Sequence, residues 1–171
     1  TIQMLFDLTH SASDIGFQHL FVNKPAAAKV LGEDAYNAFI EDMIYNEGRK
    51  KGKLGNGTAD FNAYVKQYLP EKADMLTAEY ELANIKRAGK WKDYPAQAEK
   101  FVQQYAWDDA DRLNSIAWNI YENVSDKAAL AKALAWALRA AGLKNTHEIN
   151  DTVARLYLVN GDNDKAKQYA M

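Results

Sequence analysis

His147 and Asp151 stand four residues apart, so on a helix they share one face, as two ligands of one metal ion do. A third ligand is not in sight, since the other two histidines, His10 and His19, lie far away in the sequence. His147 and Glu148 equally suit the first turn of a helix capped by Thr146, where a carboxylate favours the helix dipole. The spacing therefore points to a helix start, and neither a metal nor another cofactor is expected. The acidic clusters Asp108-Asp109-x-Asp111 and Asp162-x-Asp164 lack the alternating oxygen ligands and terminal Glu of a calcium loop. Helix capping is their expected role. Residues 48–58 carry four glycines and four basic residues, which suggests a phosphate-binding loop. The P-loop spacing is absent: Glu47 stands where its first Gly should be, and Leu54 replaces the Ser or Thr. A solvated loop, and the most mobile internal segment of the chain, is expected there. None of the four serines (Ser11, Ser13, Ser115, Ser125) sits in Gly-x-Ser-x-Gly. Cysteine is absent, which removes thiol catalysis, disulfides and any Cys-x-x-Cys centre from this chain. No carboxylate pair stands in an apolar setting that would raise one pKa. With no catalytic constellation, the chain is expected to act by binding and not as an enzyme.

The elements that would position these residues read as helices throughout. Short segments open the chain over 1–12, with Ile2, Met4, Leu5, Phe6 and Leu8 apolar, and over Ile15 to Asn23, with Ser13 or Asp14 able to cap the second. Pro25 suits the first turn of a helix that Gly32 ends. Tyr36, Phe39, Ile40, Met43 and Ile44 are spaced for a helix over 34–47. Phe61, Tyr64, Val65 and Tyr68 share a face of the next helix, which Pro70 closes. A hairpin follows over 73–106, with Gly89 as its stop and Ala98, Phe101, Val102 and Tyr105 turned inward. Strand-type alternation is absent. The expected fold is all-α, with about eight to ten helices.

With 171 residues, 48% of them hydrophobic and 26% charged, the chain is long enough for one domain with a sizeable core. Its net charge of −2 creates no field that favours nucleic acid or an anionic membrane. No apolar run reaches transmembrane length.

The last third contains one unit twice. Displaced by 37 residues, Ile116 falls on Val153, Ala117 on Ala154, Ile120 on Tyr157, Ala129 on Ala166 and Ala133 on Ala170. A period of this length marks a stacked array of helical hairpins. Ala117 and Ala129, like Ala154 and Ala166, are the small residues that let two helices approach. One hairpin cannot bury its apolar face alone, whereas stacked neighbours can. The expected organisation is a single helical domain over 1–171. It has N-terminal helices over 1–69 with the loop 48–58, a divergent hairpin over 73–106 and two clear hairpins over 113–171.

The pattern resembles the tetratricopeptide repeat. The second unit matches that motif's small, large, Gly and Ala positions as Ala154, Tyr157, Gly161 and Ala166. The first unit matches as Ala117, Ile120 and Ala129, without the Gly. The period is longer than the family's usual 34, and Leu113 and Asn150 replace the motif's Trp. The resemblance implies that the first helix of each unit lines a concave groove. Its ligand positions fall on Asp111, Asn114, Trp118, Tyr121 and Glu122 in the first unit, and on Glu148, Asp151, Arg155, Leu158 and Val159 in the second. Tyr121, Leu158 and Val159 are equally suited to the core.

A narrower resemblance runs through Leu113-Asn114, Ala117-Trp118, Ala133–Ala137, Asp151-Thr152, Ala154, Leu156-Tyr157, Gly161 and Ala166. This string looks like the helical region that follows the thioredoxin domain in some bacterial secreted or periplasmic thioredoxin-like proteins. It implies an accessory part of a longer redox protein, periplasmic or secreted. The leading expectation is thus a module that binds a protein or peptide, with neither nucleic acid nor membrane as partner. The alternative is a small-molecule or carbohydrate binder that uses the aromatics Trp91, Trp107 and Trp118.

Overall fold

The computed structural model describes residues 1–170. Met171, where the second hairpin is expected to end, lies outside the described residues. Among the described residues there are eleven α-helices and no strand. None of the helices is long and apolar enough to cross a membrane. The chain packs as two compact units, Thr1–Tyr80 and Glu81 onward. The boundary falls inside one helix, α6 (Ala73–Arg87), and not at Pro70 or between the hairpins.

The first unit holds α1 (Ile2–Leu8), α2 (Ile15–Val22), α3 (Lys24–Leu31), α4 (Glu33–Leu54), α5 (Thr58–Tyr68) and the start of α6. Pro25 lies in the first turn of α3, and Gly32 ends that helix with φ +86°. Phe17, Leu20, Tyr36, Ile40, Ile44, Phe61, Val65, Leu76 and Tyr80 form its core.

The glycine-rich stretch 48–58 corrects the sequence expectation. It is no eleven-residue loop: α4 continues through Leu54, and only 55–57 turn. Gly48 and Gly52 are buried on α4, four residues apart and so on one face. A Cβ on Gly48 would meet Val65 Cγ2 at 3.2 Å and the Phe61 ring at 3.3 Å. These glycines bring α4 close to α5, and that packing outweighs their weak helix propensity. Arg49, Lys50, Lys51 and Lys53 are exposed on the same helix, and its last turn favours cations.

The second unit contains α7 (Tyr94–Phe101), α8 (Ala110–Asn123), α9 (Lys127–Leu143), α10 (His147–Val159) and α11 (Asn163–Tyr169). A π-helical turn over Val102–Ala106 follows α7. That wider turn shifts the register, so Ala106 is buried while Tyr105, expected to face inward, is 37% exposed. α8 packs against α9, and α10 packs against α8, α9 and α11. The packing surfaces are rich in alanine: Ala117, Ala129, Ala133, Ala137, Ala140, Ala154 and Ala166 are all buried. The Asn119 amide buried beneath them is satisfied. It accepts from Lys86 Nζ at 2.7 Å and donates to the Tyr94 hydroxyl at 3.1 Å. Burial pushes the pKa of that hydroxyl up to about 12, against the opposing effect of the Asn119 bond.

Four helices of the second unit start on a side-chain cap. Asp109, Asp126, Thr146 and Asp162 accept from the backbone N–H of Arg112, Ala129, Ile149 and Lys165. Each closes one of the orphan donors of a first turn. The acidic clusters therefore cap helices, as their sequence suggests. Burial raises the Asp109 pKa, but the Arg112 backbone N–H and guanidinium outweigh it and hold the carboxyl below the usual range. The Asp162 carboxyl is also held low, first by the Lys165 side chain and then by its backbone N–H. A carboxyl with a depressed folded pKa stabilises above its unfolded value, and that contribution is lost as pH falls through the folded value. Melting temperature should therefore fall as pH drops below about 4. Asp109→Asn, which keeps a competent cap, should flatten that part of the profile. An unchanged acid slope in Asp109→Asn would show that the charge at this cap adds nothing.

Candidate functional site

The groove residues inferred from the repeat lie on α8 and α10, two helices that pack on one another. Four of them converge. The Arg155 guanidinium lies 5.5 Å from the centroid of the Trp118 ring, within cation–π range. Its Nε donates to Asp151 Oδ2 at 2.8 Å, one helical turn back. The Trp118 and Tyr121 rings are 5.3 Å apart at 45°. Arg155 is held in its charged form, first by the Asp151 hydrogen bond and next by one with Tyr121. The heptad-like spacing of α8 explains the arrangement. Leu113, Ile116, Ala117 and Ile120 are buried on one side, which leaves Asn114, Trp118 and Tyr121 half-buried beside them.

The other predicted residues divide. Asp111 is engaged elsewhere, accepting from Lys144 Nζ at 2.9 Å on both oxygens. Asn114, one turn before Trp118, has a buried Oδ1 without a hydrogen-bond partner among the described residues. Glu122 and Glu148 are exposed. Glu148's own backbone N–H and the Thr146 hydroxyl hold its carboxyl below the usual range, as a first-turn position would. Leu158 and Val159 are 58% and 48% exposed, so they extend the surface beyond Arg155 and are not core. Asp151 is committed to Arg155, and no cluster of three metal-ligating side chains occurs among the described residues.

The three tryptophans named as alternative contacts lie in three settings. Trp118 belongs to the Arg155 cluster. Trp107 is 49% exposed, with the Arg139 guanidinium 5.5 Å from its ring and Arg139 paired to Asp108. Trp91 is half-buried, its ring 5.4 Å from that of Tyr94, and it borders an open cleft of about 630 Å3. Sequence reading missed this cleft and the Glu99–Lys132 and Asp111–Lys144 pairs. The signal for the pairs is present: each joins residues 33 apart, close to the length of one repeat.

Comparison with protein families, with curated proteins and with solved structures finds no match to this chain.

Proposed function

We propose that the second unit is a tetratricopeptide-like array whose α8–α10 face binds a protein or peptide segment, in a chain with no catalytic role of its own. The Trp118–Tyr121–Asp151–Arg155 cluster carries this reading. A large amphipathic ring, a phenol and a pre-positioned guanidinium stand together where solvent reaches them. Trp, Tyr and Arg are the side chains that most often anchor protein partners. Arg155 is already oriented by Asp151, so less side-chain entropy remains to be lost on binding. Leu158 and Val159 add apolar area next to it on α10.

Support for the array comes from the offset of its cross-links. Lys86–Asn119, Glu99–Lys132 and Asp111–Lys144 each span 33 residues. Each cross-link thus joins successive hairpins at an offset four residues short of the 37-residue repeat, as stacked units require. The sequence resemblance through 113–166 supports a further step: the chain serves as the helical accessory of a longer thioredoxin-like protein.

Panning a random dodecapeptide display library on the immobilised protein tests the binding face. Selected peptides should bind Trp118→Ala and Arg155→Glu at least about 30-fold more weakly than wild type, the loss of an interface hot spot. Peptides that bind both variants within about twofold would place the site elsewhere. Failure to select any peptide would count against the face itself.

A further inference from the structure

The cleft beside Trp91 lies within the second unit and shares no lining residue with the α8–α10 cluster. One wall is the Trp91 ring followed by Pro95 and Ala96 at the start of α7. The other is the α8–α9 turn, with Val124, Ser125 and Asp126, continued by Ala128 and Ala129 of α9. Its volume of about 630 Å3 falls in the range of small-ligand clefts, roughly 300–1,000 Å3. Half of the twelve lining residues, Trp91, Pro95, Ala96, Val124, Ala128 and Ala129, give the cleft an apolar surface.

The polar groups at the rim restrict the ligand. Glu99 and Lys132 face each other across the cleft, bonded at 2.6 Å. Lys92 and Asp126 add one charge of each sign. The four charges cancel, so neither an anion nor a cation finds a net complementary field. Asp126 spends one bond on the Ala129 N–H at 2.8 Å, and a carboxylate keeps acceptor capacity beyond that. Asn123 donates to the Asn119 carbonyl at 2.9 Å, which leaves its own carbonyl oxygen as an acceptor. Ser125 is exposed beside them and can both donate and accept. Acceptors and a hydroxyl next to a tryptophan face suit a neutral molecule with an apolar C–H face and many hydroxyl donors.

We infer that this cleft binds a short neutral oligosaccharide, with one pyranose ring stacked on Trp91 and its hydroxyls donating to Asp126 and Asn123. The site is independent of the peptide-binding reading of the α8–α10 face. Each reading therefore fails or stands by its own variants.

The test is titration of the full chain with maltotriose, cellotriose, chitotriose and xylotriose, with trigalacturonate as an anionic comparison. Binding is read from the indole N–H resonances in 1H–15N spectra. At least one neutral trisaccharide should shift the Trp91 indole and saturate with a Kd of about 1 mM or tighter. Trp91→Ala should weaken that binding at least about tenfold. Because Trp91 also packs on Tyr94, a second variant guards against misfolding: Ala96→Gln, at an exposed helical position, fills the cleft without deleting a contact. It should weaken binding as strongly, while Trp118→Ala leaves it unchanged. The inference is overturned if no neutral trisaccharide moves the Trp91 resonance or if trigalacturonate alone binds. Binding that survives both Trp91→Ala and Ala96→Gln overturns it too.

Discussion

Gly52→Val should destabilise the first unit by about 3 kcal/mol, the upper part of the usual cost of overpacking. Gly52 sits in the last turns of α4, and a Cβ there would fall 2.7 Å from the Gly57 carbonyl oxygen and 2.7 Å from the Tyr80 hydroxyl. The first neighbour is backbone and cannot swing away. It is also tied down, because the Gly57 N–H donates to the Gly52 carbonyl at 3.0 Å, closing the turn from the other side. Tyr80 is no easier to move, since its ring lies flat on Phe61 at 4.2 Å. Gly142 supplies the contrast. It lies in α9, where an added Cβ would meet nothing within 4 Å, so Gly142→Ala should stabilise by about 0.5–1 kcal/mol through helix propensity alone. Urea unfolding followed by far-UV circular dichroism gives both numbers. A Gly52→Val protein as stable as wild type would mean that α4 ends before Gly52 in solution.

The same glycines show where sequence reading loses its hold. Four glycines in eleven residues signal a loop because glycine is flexible when nothing packs on it. Gly48 and Gly52 are instead places where α5 and Tyr80 come too close for a side chain. A single sequence does not distinguish the two uses, because the difference lies largely in Phe61, Val65 and Tyr80, 13 to 28 positions away. The helical class was legible, since it rests on local spacing: Ile40 and Ile44, or Ile116, Ala117 and Ile120, fall on one buried face. Caps were legible for the same reason. The Trp118–Arg155 contact was half legible. The 37-residue displacement puts both on matching turns, but their stacking depends on how α8 and α10 pack. The Trp91 cleft left no such mark. Its walls come from two turns and two helices, with an absence of bulk at Ala96, Ala128 and Ala129. Tyr105 was misplaced because a π turn adds a residue to the helical register, and no local residue type announces it.

Phe61→Ala carries the largest expected loss, about 3–5 kcal/mol. Phe61 is fully buried. Its ring stacks in parallel on Tyr80 at 4.2 Å and meets Tyr45 edge-on at 5.3 Å. Removing it forfeits two aromatic contacts beyond the apolar area itself. The void left behind would not collapse readily. On the α4 side it faces Gly48, which has no side chain to move into the gap, and the glycine backbone is held by its own helix. Cost rises with the cavity that remains, so this site should lie at the upper end for a phenylalanine truncation. Phe61→Leu, which keeps most of the volume, should cost clearly less. The fall in urea midpoint at constant m-value measures the size of the effect. Amide exchange then locates it: protection in α4 and α5 should drop by the full free-energy difference, because Phe61 joins those two helices to Tyr80. A loss below about 1 kcal/mol would mean that neighbouring side chains fill the gap. The glycine face of α4 would then be a looser contact than its geometry indicates, and the Gly52→Val prediction would weaken with it.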